Sequence, residues 1–552
     1  MGRTKTMTRR LAAPALFLFF SLTASGTLYQ VGFTKPYPDL QSVADLLNPG
    51  DIVEVDGNET YPGGVTFERP GTAEQPIIIR GIEISGNRPV LSGGTNTVYF
   101  ATPDPSDPAD GANFYIFENF DVTGGSSRGI FHQAGDLIVR DTVVHDCPNH
   151  GILGADQGSG NCTLERVEVY NCGSGSSRHQ IYMATDEVNR PGSVFRMTHC
   201  YLHDGIGGNN VKSRAERNEI YYNWLEGAYY HELELIGPDP GGAPSGWDEA
   251  LSREDSDIVG NVLWQRNTFF IARVGGDATG QSWGRYRFVN NTIIAGTSAV
   301  FRLFDGMQSI EMHNNVICRE DGSAPNIIRD VEVLWSDGEQ IAGSNNWVTT
   351  GSANIPVQWT GTVTGADPGL EDLSSDDPRP ASGSPLLGGA ALDLSGPTGF
   401  PFPNPLFPPT LHPPMHEAPA ADEALPRAFD CDLDIGAFER PASPAITAGL
   451  LPAADGSLKW APEASASAYD VVKGDLLLLA SSGGDFTASL LSCLEDDGAD
   501  TAALDISLPA SGEGFYYLVR AAAPSAGTYD CGCAAQTASR DPGIAASGLA
   551  CP

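Results

Sequence analysis

The chain has 552 residues, a formal net charge of -37, 64 glycines and 40 prolines. Such acidity excludes a general basic surface for nucleic acid, and a polyanion would have to be held by cations gathered locally. The length exceeds one compact globule but suits a solenoid with an appended domain, built from short strands and tight turns.

Arg3, Lys5, Arg9 and Arg10 precede an apolar run over 11–24, closed by the small residues Thr23-Ala24-Ser25-Gly26. This reads as a secretory signal over residues 1–25, too short to span a bilayer well. No later run is long and apolar enough for a membrane helix. The mature protein is therefore expected to be soluble, secreted/extracellular or periplasmic, and monomeric. The ten cysteines agree with an oxidising compartment.

Residues 39–47 predict a short capping helix, and Asn48-Pro49-Gly50-Asp51 a turn. Ile52-Val53-Glu54-Val55, Val65-Thr66-Phe67 and Ile77-Ile78-Ile79 then alternate as strands. Further on, two apolar columns appear. One holds Val122, Val144, Val169, Leu202, Ile220, Leu263, Ile293 and Ile317; the other holds Ile152, Ile181, Val211 and Leu233. A repeat of this length, made of short β-branched strands, is the signature of a solenoid whose turns cover each other's apolar faces. The fold class predicted is all-β: a right-handed parallel β-helix over 27–335, closing rungs with a Pro-rich linker over 336–440, and a small β-sandwich over 441–552.

Asn218, Asn261, Asn291 and Asn315 each precede a core residue by two, which predicts a stacked asparagine ladder at a corner. Cys147 and Cys172 fall at equivalent positions on adjacent rungs, as a disulfide or as stacked core thiols. Residues 237–257 are an insertion, either a groove wall or a solvated acidic loop. Residues 434–439 are expected to form a closing strand. In the sandwich, Cys493, Cys531, Cys533 and Cys551 are available for disulfides.

Side chains alternate along a strand, so burying the second column assigns its neighbours to the outside. Gln180 and Tyr182, Asn210 and Lys212, and Glu232 and Glu234 then face out, with Arg214 beside them. Only five lysines occur in the chain, and one of them is Lys212. A lysine kept where arginine is preferred suits a group that must give up a proton. His150, His179 and His231 each precede a second-column residue by two and are expected to stack at a corner, with Asn209 between them.

The stretches Asn48-Pro49-Gly50-Asp51-Ile52-Val53-Glu54-Val55 and Gly71-Thr72-Ala73-Glu74-Gln75-Pro76-Ile77-Ile78-Ile79-Arg80-Gly81 resemble the first rungs of secreted β-helix polysaccharide lyases of the chondroitinase-B and alginate-lyase type. Ser457-Leu458-Lys459-Trp460, Ala468-Tyr469-Asp470-Val471-Val472 and Phe515-Tyr516-Tyr517-Leu518-Val519-Arg520 resemble a fibronectin type III domain. The first resemblance implies a polysaccharide substrate, and a lysine and an arginine sharing the chemistry, often with calcium. A lyase on a uronic-acid polymer must neutralise a carboxylate, take the proton beside it and protonate the leaving oxygen. Lys212 is then the expected base and Arg214 the carboxylate partner or acid. Tyr182 and His179 are alternative acid or base. Gln180, Asn210, Glu232, Glu234 and Arg273 are expected to bind substrate.

Calcium would require Glu232, Glu234, Asp248 or Asp255 to converge. Lys212 is open to a plainer role as an ion pair with Glu234 or Glu232. Two rival functions stand beside the lyase. One is a glycoside hydrolase drawing a carboxylate pair from Glu232, Glu234 and Asp204. The other is a non-catalytic glycan-binding protein.

Overall fold

The computed structural model describes residues 26–552 except 249–253, 277–280, 305, 331–334, 336, 421–422, 424, 428–431, 441–450, 453–455, 461–465, 510–513, 525 and 531–538. The expected signal over 1–25, and Cys531 and Cys533, lie outside the described residues. Among the described residues, no helix is long and apolar enough to cross a membrane.

Each turn of the coil contributes one strand to each of three sheets. One turn runs Val194–Thr198, Tyr201–His203, Val211–Arg214; the next runs Arg217–Tyr221, Trp224–Glu226, Leu233–Ile236. Successive turns pair in parallel, with Met197 against Ile220, Leu202 against Leu225 and Val211 against Leu233. Among the described residues the three sheets hold 13, 12 and 10 strands. This is a parallel β-helix, right-handed as parallel crossovers are. The side chains turned inward, among them Val122, Val144, Val169, Ile152, Ile181 and Val211, are fully buried in one continuous core. Gln41–Ala44 forms the capping helix, and Leu40, Val43, Ala44 and Leu47 close the end of that core.

Ile220 is not in the first column. It lies in the first sheet beside Met197 and Ile258, and Leu225 takes the column position between Leu202 and Leu263. The slip arises because Ile220 and Leu225 are both buried, on either side of one corner. Asn218 moves with it: its amide nitrogen donates to Ser256 Oγ (3.0 Å), and its Oδ1 accepts from Ser213 Oγ (2.5 Å). The ladder is instead Asn223, Asn261, Asn291, Asn315 and Asn346, each amide donating to the next Oδ1 at 2.9–3.0 Å.

The ladder follows a corner residue in the left-handed region, such as Tyr222, Asn290 or Asn314. At Gly260 an added Cβ would also meet the Tyr222 ring at 2.7 Å. Asn291 also donates to the Ile258 carbonyl and accepts from the Asn261 backbone. Asn291→Ala would orphan these buried groups, so a loss of about 3 kcal/mol is expected, read as a lower urea midpoint with unchanged slope.

Parallel pairing continues to Val363–Gly365. The proline-rich segment then runs back along the coil. Leu406, Phe407 and Leu411 pack on Tyr221, Tyr222, Val259 and Val289. Residues 434–439 form no strand: Ile435, Ala437 and Phe438 bury against Trp224, Val262 and Trp347 of the second sheet. The outer face of the second sheet is therefore covered here, while the third sheet keeps its outward row. Cys147 and Cys172 are thiols, buried and stacked. At the C-terminus two three-stranded antiparallel sheets share a core of Leu458, Trp460, Tyr469, Val471 and Val519. Cys493 and Cys551 are joined as a disulfide.

Candidate active site

Strand register places one outward residue per rung along the third sheet: Tyr99, Phe131, Leu153, Tyr182, Lys212, Glu234, Arg273, Arg302 and Arg329. Val211 and Ser213 turn inward, so Lys212 stands outside the coil, flanked by Tyr182 and Glu234. Lys212 Nζ lies 3.6 Å from Glu234 Oε2 and 5.4 Å from the centre of the Tyr182 ring. Glu234 also accepts from Arg273 Nη1 at 2.7 Å and from Asn209 Nδ2 at 2.5 Å. Burial alone would push the Glu234 carboxyl up, but Lys212, His231 and Arg273 outweigh it and hold the group down at about 2. The plainer role of Lys212 as an ion-pair partner is thus present in the geometry, beside the features a base would need.

Two residues along the strand, Arg214 is buried and donates through Nε to Tyr182 Oη (3.1 Å) and through Nη1 to the Gly237 carbonyl. Burial pushes the Tyr182 phenol up to about 12, against the pull of Arg214. The segment over 237–248 lies beside the row, against residues at and past the C-terminal ends of third-sheet strands. Gln157 Nε2 donates to the Gly242 carbonyl at 3.1 Å, and a Cβ on Gly242 would come within 2.8 Å of Asp156 Oδ2. Residues 237–248 of the insertion therefore form a wall, and its last residues do not, since Asp255–Val259 is a first-sheet strand. Asp156 joins the site without a signal in the sequence. Burial raises its carboxyl, while Arg214 draws it down and Asp239 adds to the rise.

Gln180, Asn210 and Glu232 do not face out. All three are fully buried in a ladder under the corner, with Gln180 Nε2 on Asn210 Oδ1 (2.7 Å) and Asn210 Nδ2 on Glu232 Oε2 (2.5 Å). Alternation fails because the strands begin one residue later, at Ile181, Val211 and Leu233, so these three belong to the turn. They are not placed to touch a polymer, and burial pushes Glu232 up to about 8.

The histidines do stack. His179 N donates to His150 Nδ1 (3.1 Å), Asn209 N to His179 Nδ1 (2.9 Å), and His231 N to Asn209 Oδ1 (3.1 Å). Burial, with Lys212 nearby, lowers His179 to about 3. Its Nδ1 already accepts a bond, so the proton sits on Nε2 and His179 is not set up as a base.

Three of the carboxylates expected to hold calcium have other surroundings. Glu232 is sealed under the corner, Glu234 is held by Lys212 and Arg273, and Asp255 pairs with Arg285 on the first sheet. Of the hydrolase carboxylates, Asp204 pairs with His203 at the end of a second-sheet strand, Glu232 is taken by Asn210 and Glu234 by Lys212.

No family model matches the chain, and no curated protein matches it. Among solved structures, the pectate lyase Pel9A overlaps 76% of this chain and 97% of its own, at 14% identity and a TM-score of 0.44. An alginate lyase from Paenibacillus sp. str. FPU-7 overlaps 59% and 96%, at 19% identity and 0.33. A rhamnogalacturonan lyase overlaps 60% and 90%, at 14% identity and 0.39. At these identities and scores the likenesses carry no argument about chemistry. The coil is established by its own strand pairing, and the site stands on its own geometry.

Proposed function

We propose that this is an exported polysaccharide lyase that cleaves a uronic-acid polymer by β-elimination along the outward row of the third sheet. The observation that carries this reading is the row itself: a lysine between a tyrosine and a carboxylate, continued by arginines, on an otherwise acidic chain. A carboxylate is already held there between Lys212 and Arg273, so the row suits the acid group of a uronate. Lys212, once its ammonium has lost a proton, takes the proton from the carbon beside the substrate carboxylate. The bond to the leaving oxygen breaks, a carbon–carbon double bond forms, and the leaving oxygen takes a proton from Tyr182. Because Tyr182 Oη accepts from Arg214, its own proton is free to be given, and the guanidinium steadies the phenolate that remains.

The test is a panel of carboxylated polymers followed for new ultraviolet absorbance from the double bond. Tyr182→Phe is expected to lower kcat about a hundredfold with little change in KM. Equal kcat in that variant would remove Tyr182 from the chemistry. One observation favours a hydrolase, the raised carboxyl of Asp156 beside Asp239. That reading predicts new reducing ends without the absorbance. Binding with no new ends would mark a glycan-binding protein.

In this account the C-terminal unit is a fibronectin type III-like spacer. In support, Trp460 packs edge-on against Tyr469 at 5.6 Å, between two antiparallel sheets.

A further inference from the structure

We propose that the row beyond Glu234 binds a run of consecutive carboxylates, so that the polymer is recognised by charge on one side of the cleaved bond only. The identity of the polymer as a polyuronate rests on the lyase reading above; the anion-binding strip rests on the arginines. Arg273, Arg302 and Arg329 occupy one register position on three successive strands. Rungs lie about 4.8 Å apart, close to the spacing of residues along an extended sugar chain. Two rings hold the guanidiniums in line. Arg273 and Arg302 lie 4.1 and 4.6 Å from the centre of Phe304, and Arg302 and Arg329 lie 5.3 and 5.8 Å from that of Phe270.

Stacked guanidiniums repel one another, and the protein supplies little to offset this. Arg273 shares Glu234 with Lys212, whereas among the described residues neither Arg302 nor Arg329 has a carboxylate within ion-pair distance. Among the described residues, Arg302 Nε is buried without a hydrogen-bond partner. Beyond Glu234 the row holds three arginines in succession, on a chain of net charge -37. The missing counter-charge is the ligand's.

The strip is bounded at both ends. Toward the N-terminus the row turns apolar, with Leu153, Phe131 and Tyr99. Arg128 lies beside this apolar half but outside the row, bonded to Asn96 Oδ1 at 3.2 Å and 4.1 Å over the Phe131 ring. At the other end, Arg329 lines a hollow of about 410 Å³ with Asp330 and Glu339, whose acidity limits how far a polyanion extends.

The test is calorimetric titration of the full chain in a Lys212→Ala background, so that no turnover consumes the polymer. The probes are polygalacturonate, dextran sulfate and a neutral galactan. Polygalacturonate is expected to bind, and to bind more weakly as salt is added. Arg302→Gln and Arg329→Gln are each expected to weaken it about tenfold with thermal midpoints not lowered. The strip is overturned if the double variant binds polygalacturonate as tightly as its parent. It is also overturned if the neutral galactan binds equally well, or if dextran sulfate alone binds. Carboxylate binding through these arginines without unsaturated product would retire the lyase reading and leave the strip. Turnover indifferent to both arginines would do the reverse.

Discussion

Lys212→Ala is expected to abolish unsaturated product on any polymer the protein cleaves, a fall of about a thousandfold or more in kcat. The fold should survive. Val211 and Ser213 supply the inward packing of that strand, and Glu234 keeps Arg273 and Asn209 as partners. Lys212→Arg separates the two roles open to this residue. Arginine keeps the positive charge beside Glu234 but does not release a proton in the working range. If Lys212 is the base, the arginine variant is as inactive as the alanine one. If it only pairs with Glu234, the arginine variant retains most of the activity. Circular dichroism and the thermal midpoint report whether either variant has lost structure.

Glu234→Gln is expected to cost about 3 kcal/mol of stability at neutral pH. The carboxylate is buried among Lys212, Arg273 and Asn209, so its loss removes the negative charge that both cations share. The pH dependence follows from the direction of its shift. Burial pushes the group up, yet the neighbouring cations hold it at about 2, below its ordinary 4.5. Its contribution is therefore full above about pH 4.5 and is lost as pH falls from there through 2. Denaturant titrations across that window should show the gap between wild type and Glu234→Gln shrinking as acid is added. A gap that stays constant would mean that Glu234 is not held as an ion among these cations.

Much of the coil is legible in the sequence because the second column needs only strong apolar residues at regular steps. Ile152, Ile181, Val211 and Leu233 are paired as the periodicity predicts, and the outward position of Lys212 follows from them. The column fades after Leu233 because the next inward residue is Ala272, a weak apolar signal beyond a long insertion. Arg302 and Arg329 escape sequence reasoning for that reason; carrying the register through Ala272 to Phe301 and Ile328 would find them. Gln180, Asn210 and Glu232 are misplaced by parity because alternation holds only within a strand, and the strand boundary is not visible in the sequence. Asp156 depends on a contact between distant turns and has no local pattern at all.

The most direct test of the account is the mass of the fragments released from a carboxylated polymer by the wild-type protein. β-Elimination predicts that each new non-reducing end lacks one water relative to a hydrolysis product, with no such fragments from Lys212→Ala. Fragments that have gained water, or a polymer bound and left intact, would contradict it.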